Sequence, residues 1–158
     1  MKKGLVTILT IILGMTTGAV VTGKTARRTL SAAKQMSDKH LALYLMMNRW
    51  VEIKQDGKNI TDYFHRNGYE SIAIYGMNYA GERLLHELKD SDIEVKYGID
   101  QRADEIYTDI DVITIDVELP SVDVIVVTPI YFYGEIQDKL AHLTDCAIVS
   151  LEDILYEV

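Results

Sequence analysis

The stretch that decides the fold is Ser71-Ile72-Ala73-Ile74-Tyr75-Gly76-Met77-Asn78-Tyr79-Ala80-Gly81, which runs directly into Glu82-Arg83-Leu84-Leu85-His86-Glu87-Leu88. Its first five residues form a short apolar run, suited to a parallel strand buried on both faces. The last seven place their apolar members on one side of a helix. Between them lies a glycine turn. Gly76 permits the tight turn, Gly81 allows the helix to pack close to the strand, and the helix N-terminus attracts an anion. Asn78 stands where G-x-G-x-x-G has its middle glycine, and its amide occupies space that a pyrophosphate would need. The residues expected to meet a phosphate are therefore Gly76, Met77, Asn78, Tyr79 and Gly81.

Downstream, Glu94 to Ile99 reads as a second strand ending in Asp100, 24 residues after Gly76. A carboxylate there accepts hydrogen bonds from ribose hydroxyls and repels a 2′-phosphate, which favours NAD or another unphosphorylated ribose over NADP. The alternative role for Asp100 is a turn or cap residue. Asp111 to Ile115 is a third candidate strand, Val122 to Thr128 a fourth, Glu135 to His142 a helix, and Cys146 to Ser150 a fifth strand. Ser150-Leu151-Glu152-Asp153 opens a terminal helical turn. Alternating strands and helices imply an α/β fold, a small doubly wound parallel sheet of order 3-2-1-4-5 with its ligand crevice between strands 1 and 4. Thr128, Pro129, Tyr131 and Tyr133 follow strand 4 and are expected to face that crevice, where the proline and tyrosines would stack on a base or sugar, or simply pack a loop.

Upstream, residues 25–69 read as a helical connector before the domain at 70–158. Ser37 or Asp38 is placed to cap a second helical segment, and Gly57 stands where a helix would end. Leu43, Met46, Met47, Trp50 and Ile53 form an apolar stripe at three- and four-residue spacing, which packs on the domain or docks another protein. A short helix is expected over Ile60 to Arg66, stopped by Asn67-Gly68.

Residues 4–23 carry no charge, and as a helix they span about 30 Å, the thickness of a hydrocarbon core. Residues 1–24 are thus expected to be a single membrane anchor, the rival reading being a cleaved signal peptide. Lys24, Arg27, Arg28, Lys34 and Lys39 outnumber Lys2 and Lys3, which directs the C-terminal domain to the cytoplasmic side of the cell membrane. Gly14 and Gly18 form a small-xxx-small pair that would let two helices approach in a homodimer. Gly18, Gly23, Lys24 and Thr25 match a P-loop by letters only, because no strand precedes them.

The charge balance excludes a nucleic-acid partner. Residues 1–70 hold 11 Lys/Arg against 5 Asp/Glu, whereas 71–158 hold 5 against 19, so the folded part repels phosphate backbones. The basic stretch suits an anionic membrane surface. The lone Cys146 sits in an apolar run and reads as a small buried hydrophobe. No Tyr-x-x-x-Lys pair occurs, no Ser lies in a G-x-S-x-G setting, and His40, His65, His86 and His142 show no metal-ligand spacing.

Four segments carry a resemblance: Ile72 to Met77, Tyr97-Gly98-Ile99-Asp100, Val126-Val127-Thr128-Pro129 and Ser150 to Ile154. They resemble a Rossmann-like module of bacteria, especially Gram-positive anaerobes, found beside or fused to glycosyltransferases in surface-polysaccharide gene clusters. The module is also similar to the nucleotide-sugar-binding N-terminal domain of bacterial sugar acyltransferases. The resemblance covers about residues 40–158 and implies a cell-envelope context with NAD or a nucleotide sugar as ligand and a glycosyltransferase or another polysaccharide-assembly protein as partner. At Asn78 the module often has glycine.

Three functions are compatible with these residues. One is a membrane-held nucleotide- or nucleotide-sugar-binding accessory, with no catalytic residues of its own. Another is an assembly protein whose Rossmann-like fold has lost its ligand. The third is a minimal NAD-dependent oxidoreductase on a sugar nucleotide, which would need a partner to supply acid and base groups.

Overall fold

The computed structural model describes the backbone of residues 2–158 other than 117, and the side chains from residue 28 onward with the same exception. Helix α1 runs from Lys2 to Gln55 without interruption. Ser37 and Asp38 therefore cap nothing. Both are flanked by good helix formers, and a potential cap becomes one only where the chain leaves the helix. The charge-free segment 4–23, the Gly14/Gly18 pair and the P-loop letters lie outside the described side chains. Among the described residues, no helix is long and apolar enough to cross a membrane. The chain divides into two compact units, Met1–Leu41 and Ala42–Val158.

In the second unit, α1 ends as expected near Gly57, which adopts φ 71° while Lys58 N donates to Ile53 O at 3.1 Å. Helix α2 covers Thr61–Asn67 and is stopped by Gly68 at φ 70°. Then follow β1 (Ser71–Tyr75), α3 (Tyr79–Leu88), β2 (Glu94–Ile99), β3 (Val112–Ile113), β4 (Val124–Val127), α4 (Tyr133–Leu140), β5 (Ala147–Ser150) and α5 (Leu151–Glu157). The five strands are all parallel, in the order β3-β2-β1-β4-β5. This is the α/β sheet and strand order expected from the sequence.

The sheet buries both faces of its central strands, which are apolar from Ile72 to Tyr75 and from Val124 to Val127. Ile72, Ile74, Val124 and Val126 pack toward α2, α3, α5 and the end of α1, where Met46, Trp50 and Ile53 of the apolar stripe are buried. Ala73, Tyr75, Ile125 and Val127 pack against Ile136 and Leu140 of α4 on the other face. The stripe on α1 thus belongs to the domain core. Arg49 Nε also donates to Leu155 O at 3.1 Å, tying α1 to α5. Asp123 fastens the entry to β1 by accepting from Ser71 N at 2.7 Å and Glu70 N at 3.0 Å. Those donors hold its carboxyl below the usual carboxylate range, the Ser71 N–H foremost. At the far edge, β3 is only two residues long and half-buried, pairing with Gly98 and Ile99 alone.

Candidate functional site

The glycine turn lies where the strand order reverses, between β1 and β4, the place where doubly wound sheets leave room for a ligand. Gly76 has φ 90°, a left-handed conformation that side chains rarely adopt. A Cβ there would meet the Pro129 ring at 2.6 Å and Thr128 Oγ1 at 3.0 Å. Thr128 is buried, and its hydroxyl donates to Gly76 O at 2.6 Å, which pins the end of β4 to the turn. Gly81 makes the second close approach. A Cβ at Gly81 would stand 2.2 Å from Gly76 O, so the helix sits against the turn only because no side chain intervenes.

Asn78 is the N-cap of α3. With extended backbone (φ −84°, ψ −168°), its side-chain oxygen accepts from Ala80 N at 2.9 Å. The residue that breaks the glycine pattern therefore satisfies one of the helix donors that an anion would otherwise use. Asp100 reaches the turn from the end of β2. Its Oδ2 accepts from Met77 N at 2.9 Å, and its Oδ1 accepts from Arg102 N at 3.0 Å. A carboxylate has about four acceptor positions, so two remain. Beside it, burial first and the Asp100 charge second raise the Tyr75 phenol above its ordinary value, which keeps it protonated.

The nine residues singled out in the sequence thus divide. Gly76, Asn78, Gly81, Asp100, Thr128 and Pro129 meet around the turn. Tyr79 opens α3 and is 83% exposed, while Tyr131 is 39% exposed and stacks edge-on against Phe132 at 5.3 Å. Met77 presents its backbone and its side chain to different neighbours. Its backbone N–H faces Asp100, but its side chain is buried against Gly98, whose Cβ position lies 2.8 Å from Met77 Cγ. The thioether seals the α3–β2 contact. Tyr133 is corrected. Its hydroxyl donates to Ile148 O at 2.9 Å, so it serves β5 and not the crevice between β1 and β4.

A cavity of about 750 Å³ opens beside the turn, along the flank of α3. Arg83 and His86 of α3 and Lys89 just after it line the cavity, facing Val95 of β2 and the segment Ile106–Ile110. Of the nine predicted residues, only Met77 borders it. It exists because the connection from β2 to β3 carries a single 3-10 turn, Ala103–Glu105, where a crossover usually carries a helix. Lys89 and Asp109 close one rim with a 3.0 Å ion pair. Sequence reading missed this groove. Its signal was residues 100–111, which lack an apolar helical repeat. The chain matches no protein-family model, no curated protein and no solved structure.

Proposed function

We propose that this chain is a membrane-anchored accessory protein with its C-terminal domain in the cytoplasm, binding a nucleotide or nucleotide sugar in cell-envelope polysaccharide assembly. The observation that carries the binding is the position of the Asp100 carboxylate, 2.9 Å from the N–H of Met77 in the glycine turn. An acid there has two acceptor positions left for the hydroxyls of an unphosphorylated ribose, next to a helix N-terminus that favours phosphate. Tyr79 and Tyr131 supply exposed aromatic faces for a base or sugar. The charge-free segment 4–23 and the basic residues after it support the anchor and its orientation.

A second reading, an assembly protein with a degenerate Rossmann-like fold, is favoured by one observation. Asn78 and Thr128 both spend their polar atoms inside the chain, on Ala80 N and Gly76 O. Thermal unfolding of the full chain in detergent decides between the two. The panel holds NAD, NADP, UDP-, CDP- and GDP-sugars, ATP and coenzyme A at millimolar concentration. Saturation near a hundred times Kd adds about 2.7 kcal/mol, and Asp100→Ala should abolish that gain. No shift with any compound, together with a co-purifying membrane protein, would leave the assembly reading in its place.

A further inference from the structure

Tyr75 is the last residue of β1, in register with Ile99 of β2 on one side and Val127 of β4 on the other. Each neighbour delivers its next residue to the glycine turn. Asp100 follows Ile99 and accepts from Met77 N, and Thr128 follows Val127 and donates to Gly76 O. Tyr75 therefore ends the sheet at its switch point, between the two strands that build the site. Its ring belongs to the core on the α4 side, and the residue is only 8% exposed. Buried phenols ordinarily find a hydrogen-bond partner. Two tyrosines packed in the same core do so, Tyr97 on Pro120 O at 2.7 Å and Tyr133 on Ile148 O at 2.9 Å. The Tyr75 hydroxyl has no such partner among the described residues. Nor, among them, is any unpartnered side-chain oxygen sealed from the surface, so this hydroxyl reaches solvent from a buried ring. Burial and the nearby Asp100 charge keep it protonated, as a donor.

We propose that the Tyr75 hydroxyl is the second half of the ribose site, pairing with Asp100 to select a sugar that carries two adjacent free hydroxyls. The inference rests on the nucleotide reading above and names what that site recognises. A carboxylate can only accept, so Asp100 accepts a hydrogen bond from one ribose hydroxyl. A protonated phenol donates, so Tyr75 gives one to the oxygen of the neighbouring hydroxyl. A vicinal diol offers that donor and that acceptor on adjacent carbons. A deoxyribose lacks one of them, and a 2′-phosphate sets negative charge against Asp100. The core already fixes the ring, so binding immobilises no free side chain and the donor costs little entropy to use.

Isothermal titration calorimetry of the full chain in detergent tests this with ADP, UDP, CDP and GDP, which carry the ribose and diphosphate common to NAD and the nucleotide sugars. Each is compared with its 2′-deoxy and 3′-deoxy analogue. For the nucleotide that binds, both analogues should be at least about tenfold weaker, the loss of one hydrogen bond. Tyr75→Phe removes the hydroxyl alone. It should weaken the ribonucleotide about tenfold and leave one of the two analogues unchanged, the one that lacks the hydroxyl Tyr75 addresses. Because the hydroxyl has no partner in the folded chain, the unfolding midpoint of Tyr75→Phe should match that of the unsubstituted protein. A ribonucleotide affinity untouched by Tyr75→Phe, or an equal loss for all three sugars, would overturn the proposal while leaving nucleotide binding in place. A clear drop in the midpoint would overturn it too, by showing that the hydroxyl serves the fold. No binding of any of the four to the unsubstituted chain would refute the nucleotide reading itself, and this inference with it.

Discussion

Replacing Gly81 by alanine tests whether the close approach of α3 to the glycine turn is structural. Alanine is normally the better helix former, by about 1 kcal/mol over glycine. Here its Cβ would stand 2.2 Å from Gly76 O and 3.1 Å from Gly76 C, both backbone atoms of a turn held by Thr128 and Pro129. Relief requires the helix N-terminus to move by about 1 Å, and forcing such a shift in a packed site costs up to about 3 kcal/mol. The net expectation is a loss of about 2 kcal/mol, or about 8 °C in Tm for a unit of this size. Gly134→Ala is the internal control. It lies in the first turn of α4 with nothing within 4 Å, so it should be neutral or stabilise by up to about 1 kcal/mol. Urea unfolding followed by circular dichroism measures both. If Gly81→Ala stabilised the protein as Gly134→Ala does, the turn would be yielding and the argument from close approach would fail.

Further expectations concern the cap, the turn and the sheet edge. Asn78→Ala should cost about 1 kcal/mol through the lost cap, whereas Asn78→Gly should cost only a few tenths; if the amide obstructs a pyrophosphate, Asn78→Gly should also tighten nucleotide binding in calorimetry. Thr128→Val removes the donor to Gly76 O in a buried site, and about 1–3 kcal/mol should disappear from the urea-unfolding free energy. Burial pushes the Tyr97 hydroxyl, which donates to Pro120 O, up to about 12. The unfolded phenol ionises near 10, so the stabilisation is complete below about pH 10 and is lost as pH rises toward about 12. Tyr97→Phe should flatten that alkaline decline in a pH series of unfolding midpoints.

Strands β1, β4 and β5 and the turn after β1 were legible because local chemistry determines them: short apolar runs rich in β-branched residues, a glycine at positive φ and a helix behind it. The strand order followed from the alternation of elements. Three features escaped because they depend on distant or missing partners. Asp123 fastens residues 52 and 53 positions away, which no local pattern displays. The side chain of Met77 turns into the core because Gly98, on the neighbouring strand, leaves room for it. The groove beside α3 arises where an expected crossover helix is replaced by a single 3-10 turn. Asn78, expected to meet a phosphate and to crowd it, also belongs to a residue type preferred at N-caps. In the structure it is that cap.

The central claim is that a nucleotide binds at the turn, with its ribose on Asp100. Amide hydrogen exchange of the full chain, with and without saturating NAD or UDP-sugar, tests it most directly. Binding at the proposed site predicts new protection over residues 76–82 and 100–102, and little change along 83–95 and 106–110. Protection confined to the groove segments 83–95 and 106–110, or none anywhere, would contradict it.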